Sequence, residues 1–261
     1  MKKLVFWLIA ILVTLALLVY QRMTGPTYPS RGKVAIGESL IKFKLARSAE
    51  TTNDCQIAVR VLDQRITGHL IYKRFKTDDP WQEVPLERRE DLLIASLPKQ
   101  PSAKKLAYKV ILTSQEKEIS LSGERPVNIR FRDPVPAGLL IPHIIVMFLA
   151  FLFSIRAGLE ALDPKGNPRK LALWTTVLLF IGGMILGPLV QKFAFGIFWS
   201  GFPFGHDLTD NKTIIALIGW IVALIAGRGG KPSRWWVFAA SVLLLAVYFI
   251  PHSLLGSGSD F

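Results

Sequence analysis

The side chains best suited to chemistry in this 261-residue chain are its histidines, and three of the four lie where apolar runs begin or end. They are His143 in "IPHIIVMF", His206 in "FPFGHDLTDNKT" and His252 in "IPHSLLG". Imidazole nitrogen is the commonest nitrogen ligand for zinc, copper and haem iron. Polar groups at membrane depth are costly unless paired, so histidines there are read first as parts of a site. His206 and Asp210 lie four residues apart and Asp207 and Asp210 three apart, so a helix starting here sets them along one side. At that spacing a carboxylate can ligate beside the histidine or orient its ring, and Asn211 adds another oxygen. The competing reading is structural: Asp210 or Thr209 caps the following helix and the aspartates complement its dipole.

Next to His206 stands a dense aromatic stretch that includes Phe198, Trp199, Phe202 and Phe204. It suits either an interfacial belt or the wall of a flat hydrophobic cofactor. The fourth histidine, His69, has no second ligand-type residue beside it in sequence and reads as structural. Cys55 is the only cysteine, which excludes an internal disulfide and a cysteine metal cluster. Ser200 and Ser253 lie near histidines in sequence, but no serine elbow and no HExxH motif accompanies them. The sequence therefore favours a non-enzymatic protein, with a metal-dependent membrane oxidase as an alternative.

These residues are positioned by membrane spans. The chain is 51% hydrophobic, with apolar runs at about residues 4–20, 137–155, 171–190, 213–226 and 235–250. The fourth run is short, so its helix is expected to start inside "FPFGHDLTDNKT". The first run follows two lysines; its length and the lack of a small-x-small cleavage site favour an anchor over a cleaved signal. One set of loops carries Lys2, Lys3, Arg156, Lys165, Arg169, Lys170, Arg228, Lys231 and Arg234, and the other only Lys192 and Lys212. Basic residues beside spans are retained in the cytoplasm, so the amino terminus is expected inside, with residues 21–136, the histidine loop and the carboxyl terminus outside. The expected location is a bacterial inner membrane. Gly183 and Gly187 read as close helix packing and Pro188 as a kink.

Residues 21–136 instead alternate with period two in short runs such as "IKFKL" and "CQIAVRVL", which predicts seven to nine strands in an antiparallel sandwich. This stretch holds 21 basic and 14 acidic residues, a net of +7 that reads as a solvated basic face near anionic lipid or an acidic partner. No nucleic-acid motif accompanies the formal charge of +13. The expected fold class is an α-helical membrane protein of about five transmembrane helices with an inserted all-β sandwich. Its expected parts are an anchor at 1–20, an extracytoplasmic domain at 21–136, and a four-helix membrane domain at 137–261 carrying an outer loop at 193–212.

Two resemblances add to this reading. "YKRF", "WQEVPL", "ASLPKQP" and "LAYKVIL" resemble immunoglobulin-like or fibronectin-type modules of bacterial envelope proteins, which implies a domain that docks a partner protein. The stretch "FGIFWSGFPFGHDLTDNKTIIALIGW" resembles the WWD-type haem-handling loop of cytochrome c maturation proteins. In that likeness Gly196, Trp199, Asp207 and Trp220 match the motif, and His143 and His252 hold the flanking ligand places. The family has several tryptophans in this loop where this chain has one. The likeness implies a haem; the histidines and aspartates by themselves suit a copper or zinc ion as well. His143, His206 and His252 would be the ligands, with Asp207, Asp210 and Asn211 in support and Trp199, Phe198, Phe202 and Phe204 as the wall. The expected function is to hold or hand over that group as an accessory factor of an envelope redox complex. The alternative is a structural or interaction subunit without a cofactor, embedded in the bilayer and docked through its sandwich.

Overall fold

Hydrocarbon offers a backbone no hydrogen-bond partner, so a span must satisfy its own amides as a helix. The computed structural model describes residues 1–115, 117–227 and 234–249. Among the described residues, four helical stretches are long and apolar enough to cross a membrane: Lys2–Thr24, Ala137–Leu162, Arg169–Phe195 and Leu208–Ala226. We name Lys2–Thr24 α1 and Ala137–Leu162 α2. The third stretch comprises α3 (Arg169–Phe180), a π-helical segment at Ile181–Leu186 and α4 (Gly187–Phe195). Helix α5 is Leu208–Ala226; α6 (Arg234–Phe249) is apolar but shorter, with 16 residues, and His252 beyond it lies outside the described residues.

The chain divides into two compact units, one of Met1–Pro26 with the residues from Val135 onward, the other Thr27–Pro134. In the helical unit α2 packs on α1, α3 and α6, and α5 on α3 and α6, around Trp220, Leu179, Leu244 and Ala216. Small residues permit these approaches. A Cβ on Gly183 would strike the Thr213 side chain of α5, and one on Gly219 would come within 2.8 Å of Leu243 on α6. Ser241 of α6 donates to the Ser154 carbonyl of α2 at 2.9 Å.

Arg156, expected in a loop, instead lies inside α2, 4% exposed and paired with Glu160 at 2.7 Å. Its guanidinium also faces the rings of Phe6 (5.2 Å) and Trp7 (5.5 Å) on α1. The carboxylate one turn on and two aromatic faces offset part of the cost of burying this arginine. The other end of α1 is tied to α6, where Tyr20 donates to the Phe249 carbonyl at 3.1 Å and Gln21 to that of Tyr248.

Among its described residues the second unit contains eleven strands: β1 (Ser30–Ile36), β2 (Ser39–Leu45), β3 (Ser48–Glu50), β4 (Cys55–Arg60), β5 (Thr67–Arg74), β6 (Gln82–Pro85), β7 (Glu87–Arg89), β8 (Leu92–Leu97), β9 (Lys105–Ser114), β10 (Lys117–Ser120) and β11 (Val127–Arg132). They form three open sheets: β1-β2; β3-β11-β9-β5-β6 with β10 also on β9; and β4-β8-β7. Pairing is antiparallel except between β3 and β11. The strand count exceeds seven to nine because β3 and β7 are three-residue pieces, "SAE" and "ERR", with too little apolar content to show a period. Alternation sends Val127, Ile129 and Phe131 of β11 inward, where they join Leu70, Tyr108 and Leu112. Buried Tyr108 donates its hydroxyl to the Ala46 carbonyl at 2.7 Å, and Arg88 donates to the carbonyls of Val61 (2.9 Å) and Asp63 (3.2 Å).

Two consequences can be measured. Replacing Gly183→Leu forces α5 away and should cost about 1–3 kcal/mol, as overpacking does, lowering Tm in detergent; Gly138→Leu, where a Cβ meets nothing within 4 Å, should not. Arg65 beside Asp63 and Arg74 beside Asp79 hold both carboxyls down to about 2. A folded-state value below the unfolded one, roughly 3.9, gives stability that is present above it and lost as pH falls. Melts of the β signal should therefore weaken as pH drops from about 4 toward 2. The change should be small because both pairs are exposed, and it should shrink further in Asp63→Asn with Asp79→Asn.

Candidate functional site

The site is assembled at the junction of α4 and α5. Pro188 lacks the N–H that the Met184 carbonyl would receive, and its ring crowds that carbonyl. The π-helical register just before it absorbs the misfit, with the Gly187 N–H reaching the Gly182 carbonyl, so the helix runs on to Phe195 instead of breaking at Pro188. Opposite this segment His143 of α2, partly buried, sets Nδ1 3.0 Å from the same Gly182 oxygen. A ring held so donates from Nδ1 and presents Nε2 as its acceptor.

Gly196 ends α4 in the left-handed region (φ 80°), which glycine adopts without strain. The Lys192 ammonium donates to the Gly196 carbonyl at 2.7 Å and lies 5.3 Å from the Phe198 ring centre. The chain then crosses to α5 through residues 196–207, held by side chains of α5 itself. Oδ2 of Asp210 accepts from the Ser200 amide (2.7 Å), the Ser200 hydroxyl (3.2 Å) and Gln191 Nε2 (3.3 Å); Gln191 also donates to the Ser200 hydroxyl at 2.7 Å. Oδ1 of Asn211 accepts from the Phe202 amide at 2.7 Å. Asp207 caps α5, accepting from the amides of Thr209 (2.8 Å) and Asp210 (3.2 Å), while its own amide donates to the Ser200 carbonyl at 2.9 Å. The cap is thus Asp207, not Asp210 or Thr209, because Asp210 is already inside the helix and turned back toward the loop.

Only a residue without a side chain fits at Gly201, where a Cβ would lie 2.7 Å from Asp210 Cβ and 2.8 Å from Asn211 Oδ1. The amides of Phe204 and Gly205 both return to the Gly201 carbonyl at 2.9 Å, and Trp199 Nε1 donates to the Phe202 carbonyl at 3.1 Å. The Phe202–Pro203 peptide is cis. With its backbone held this way the loop turns its rings outward: Phe198 is 53% exposed, Phe202 72% and Phe204 83%.

The structure thus brings Asp207, Asp210 and Asn211 together with Trp199 and the Phe202 backbone, but as a clamp on the loop. His143 stands apart on α2 at Gly182, His206 is exposed at the end of the loop, and His252 lies outside the described residues. Among the described residues no group of three or more His, Cys, Asp or Glu side chains could hold a metal ion. His69, read as structural, has Glu83 Oε1 3.7 Å from its Nδ1, across the β5–β6 pair. Burial raises the pKa of the Cys55 thiol, and its side chain packs on the β core.

Sequence reasoning missed Gln191, Ser200 and Gly201, whose roles depend on the chain folding back on Asp210, and it counted Lys212 as a loop residue. Lys212 is 4% exposed within α5. No protein-family model matches this chain, and no curated protein matches it in sequence.

Replacing Asp210→Ala removes the acceptor of two Ser200 donors and of Gln191. Hydrogen bonds to a carboxylate are worth about 2 kcal/mol in such settings, so the loop should open about 30-fold more often. Chymotrypsin should then cut at Phe202 or Phe204 in the variant at protease levels that spare the parent protein, with membrane insertion unchanged.

Proposed function

We propose that this chain is a non-catalytic interaction subunit of a bacterial inner-membrane complex. In this reading it is anchored by five spans with the amino terminus inside. Its immunoglobulin-like β unit docks a partner protein on the outer side, and the α4–α5 loop is a rigid aromatic lip on that same side. The observation that carries the reading is the use of the loop's polar groups: Asp207, Asp210 and Asn211 each accept backbone amides. The carboxylates and the amide of these three residues are thereby turned inward, and the rings of Phe198, Phe202 and Phe204 are exposed beside His206, as at surfaces that dock proteins or sit in a membrane interface. The excess of Lys and Arg in one set of loops supports the orientation.

One observation favours the second reading, a haem- or metal-handling accessory factor like the WWD-type proteins. A backbone carbonyl that orients a histidine through Nδ1, as Gly182 does for His143, is the support that ligand histidines commonly have. In that reading His143, His206 and His252 would hold the group, and the group would supply the redox or transfer chemistry.

The test uses the full chain carrying a photo-crosslinker at Phe204 or within the β unit, in native membranes, and the same protein purified in mild detergent without chelator. The interaction reading expects a discrete polypeptide adduct, no Soret band and less than stoichiometric metal. A Soret band or stoichiometric copper or zinc that disappears with His143→Ala would overturn it in favour of the cofactor reading.

A further inference from the structure

The β1–β2 hairpin carries a feature that neither reading uses. Its register sets Arg31 opposite Lys44 and Lys33 opposite Lys42. All four side chains are exposed and alternate with residues that face the core. Ile36, Ile41 and Leu45 on the other face are buried in the β core, with Val34 and Phe43 packed against it. The hairpin is therefore fixed by its apolar face and presents four cations in a two-by-two block, about 7 Å along the strands and roughly 5 Å across them. Facing like charges destabilise a strand pair. Among the described residues none of the four has a carboxylate within ion-pair distance. Glu38, in the turn between the strands, acts instead on Arg65.

An arrangement that costs stability and lacks an internal counter-ion points to an external anion, and three features select its kind. The cationic face ends in an apolar pair, Ala35 opposite Leu40, with Leu40 63% exposed. Arg31 lies over the ring of Tyr28 at 5.0 Å, an amphipathic residue of the type enriched at membrane interfaces. Strand β1 begins six residues after α1 ends, and α1 is long and apolar enough to cross a membrane. Basic residues flanked by an exposed leucine and a tyrosine, a few residues from a span, form the pattern that holds phosphate headgroups while inserting apolar side chains between them. We infer that the Arg31, Lys33, Lys42 and Lys44 face of the hairpin is a binding surface for anionic phospholipid. Its phosphates would sit over the four cations, with Leu40 entering the headgroup layer.

The test uses the full chain with Cys55→Ala and an environment-sensitive fluorophore on Ala35→Cys. The protein is placed in nanodiscs of phosphatidylcholine alone or with phosphatidylglycerol, some of it brominated in the acyl chains. Bromine should quench the probe in the anionic discs only, and high salt should release it. Lys33→Gln with Lys42→Gln should weaken this contact about 30-fold, at roughly fivefold per charge. Because that change also removes facing like charges, the variant's Tm should hold or rise, which separates lost binding from lost folding. Equal quenching in neutral discs, no quenching in anionic discs, or a double variant that behaves like the parent would each overturn the inference. A probe that responds to soluble polyglutamate and not to anionic discs would overturn it as well, assigning the face to an acidic polypeptide. No partner protein is needed, so failure here leaves the interaction reading standing.

Discussion

Backbone amides outside helices and sheets still need hydrogen-bond partners, and the chain between α4 and α5 is where side chains must supply them. Its amides at Ser200 and Phe202 belong to no helix or sheet. The carboxylate of Asp210 and the amide oxygen of Asn211, on adjacent positions of α5, take them at 2.7 Å each. Asp207 meets the complementary need at the start of α5, where the first N–H groups have no carbonyl behind them. The glycines follow from this, since Gly201 must pass where a side chain would strike Asp210 and Asn211.

The same constraint orders the rest of the helical unit. Pro188 removes a donor in the middle of a stretch long enough to span a membrane, and the π-helical register restores the pairing around it. His143 then takes up the Gly182 carbonyl at that segment. At the other end of α2, Arg156 is buried with Glu160 and two aromatic rings about it. In each case a polar group that looks functional in a list of residues has at least one named structural partner. The basic face of the β1–β2 hairpin is the contrary case, where charges are displayed with no internal partner.

Much of the fold was legible because hydrophobic period is a strong signal. The runs quoted with period two, "IKFKL" and "CQIAVRVL", fall on strands β2 and β4, and the apolar runs became helices, with α5 beginning at Leu208, inside the polar stretch as expected. The polar runs of β3 and β7 carried no such signal. Arg156 was placed in a loop because a charge near the end of an apolar run looks like its boundary; the pairing with Glu160 one turn later was the available sign that the helix continued. For the site, the sequence reading set His206 and Asp207 along one side of a helix with Asp210, but α5 begins at Leu208, so His206 lies before it and Asp207 is its cap. Nor did it show that Asp210 and Asn211 would bind amides ten and nine residues back in the chain, since Gln191 and Ser200 enter only through tertiary folding.

The most direct test of this account is amide hydrogen exchange across residues 196–212 in the full-length protein in nanodiscs. It would be followed with chelator present and again with added haem, copper or zinc. If the clamp is internal, the Ser200 and Phe202 amides are protected with chelator present and the added groups change nothing. Protection that appears only when haem or a metal ion is added would contradict it, because the loop would then owe its order to a bound group and not to Asp207, Asp210 and Asn211.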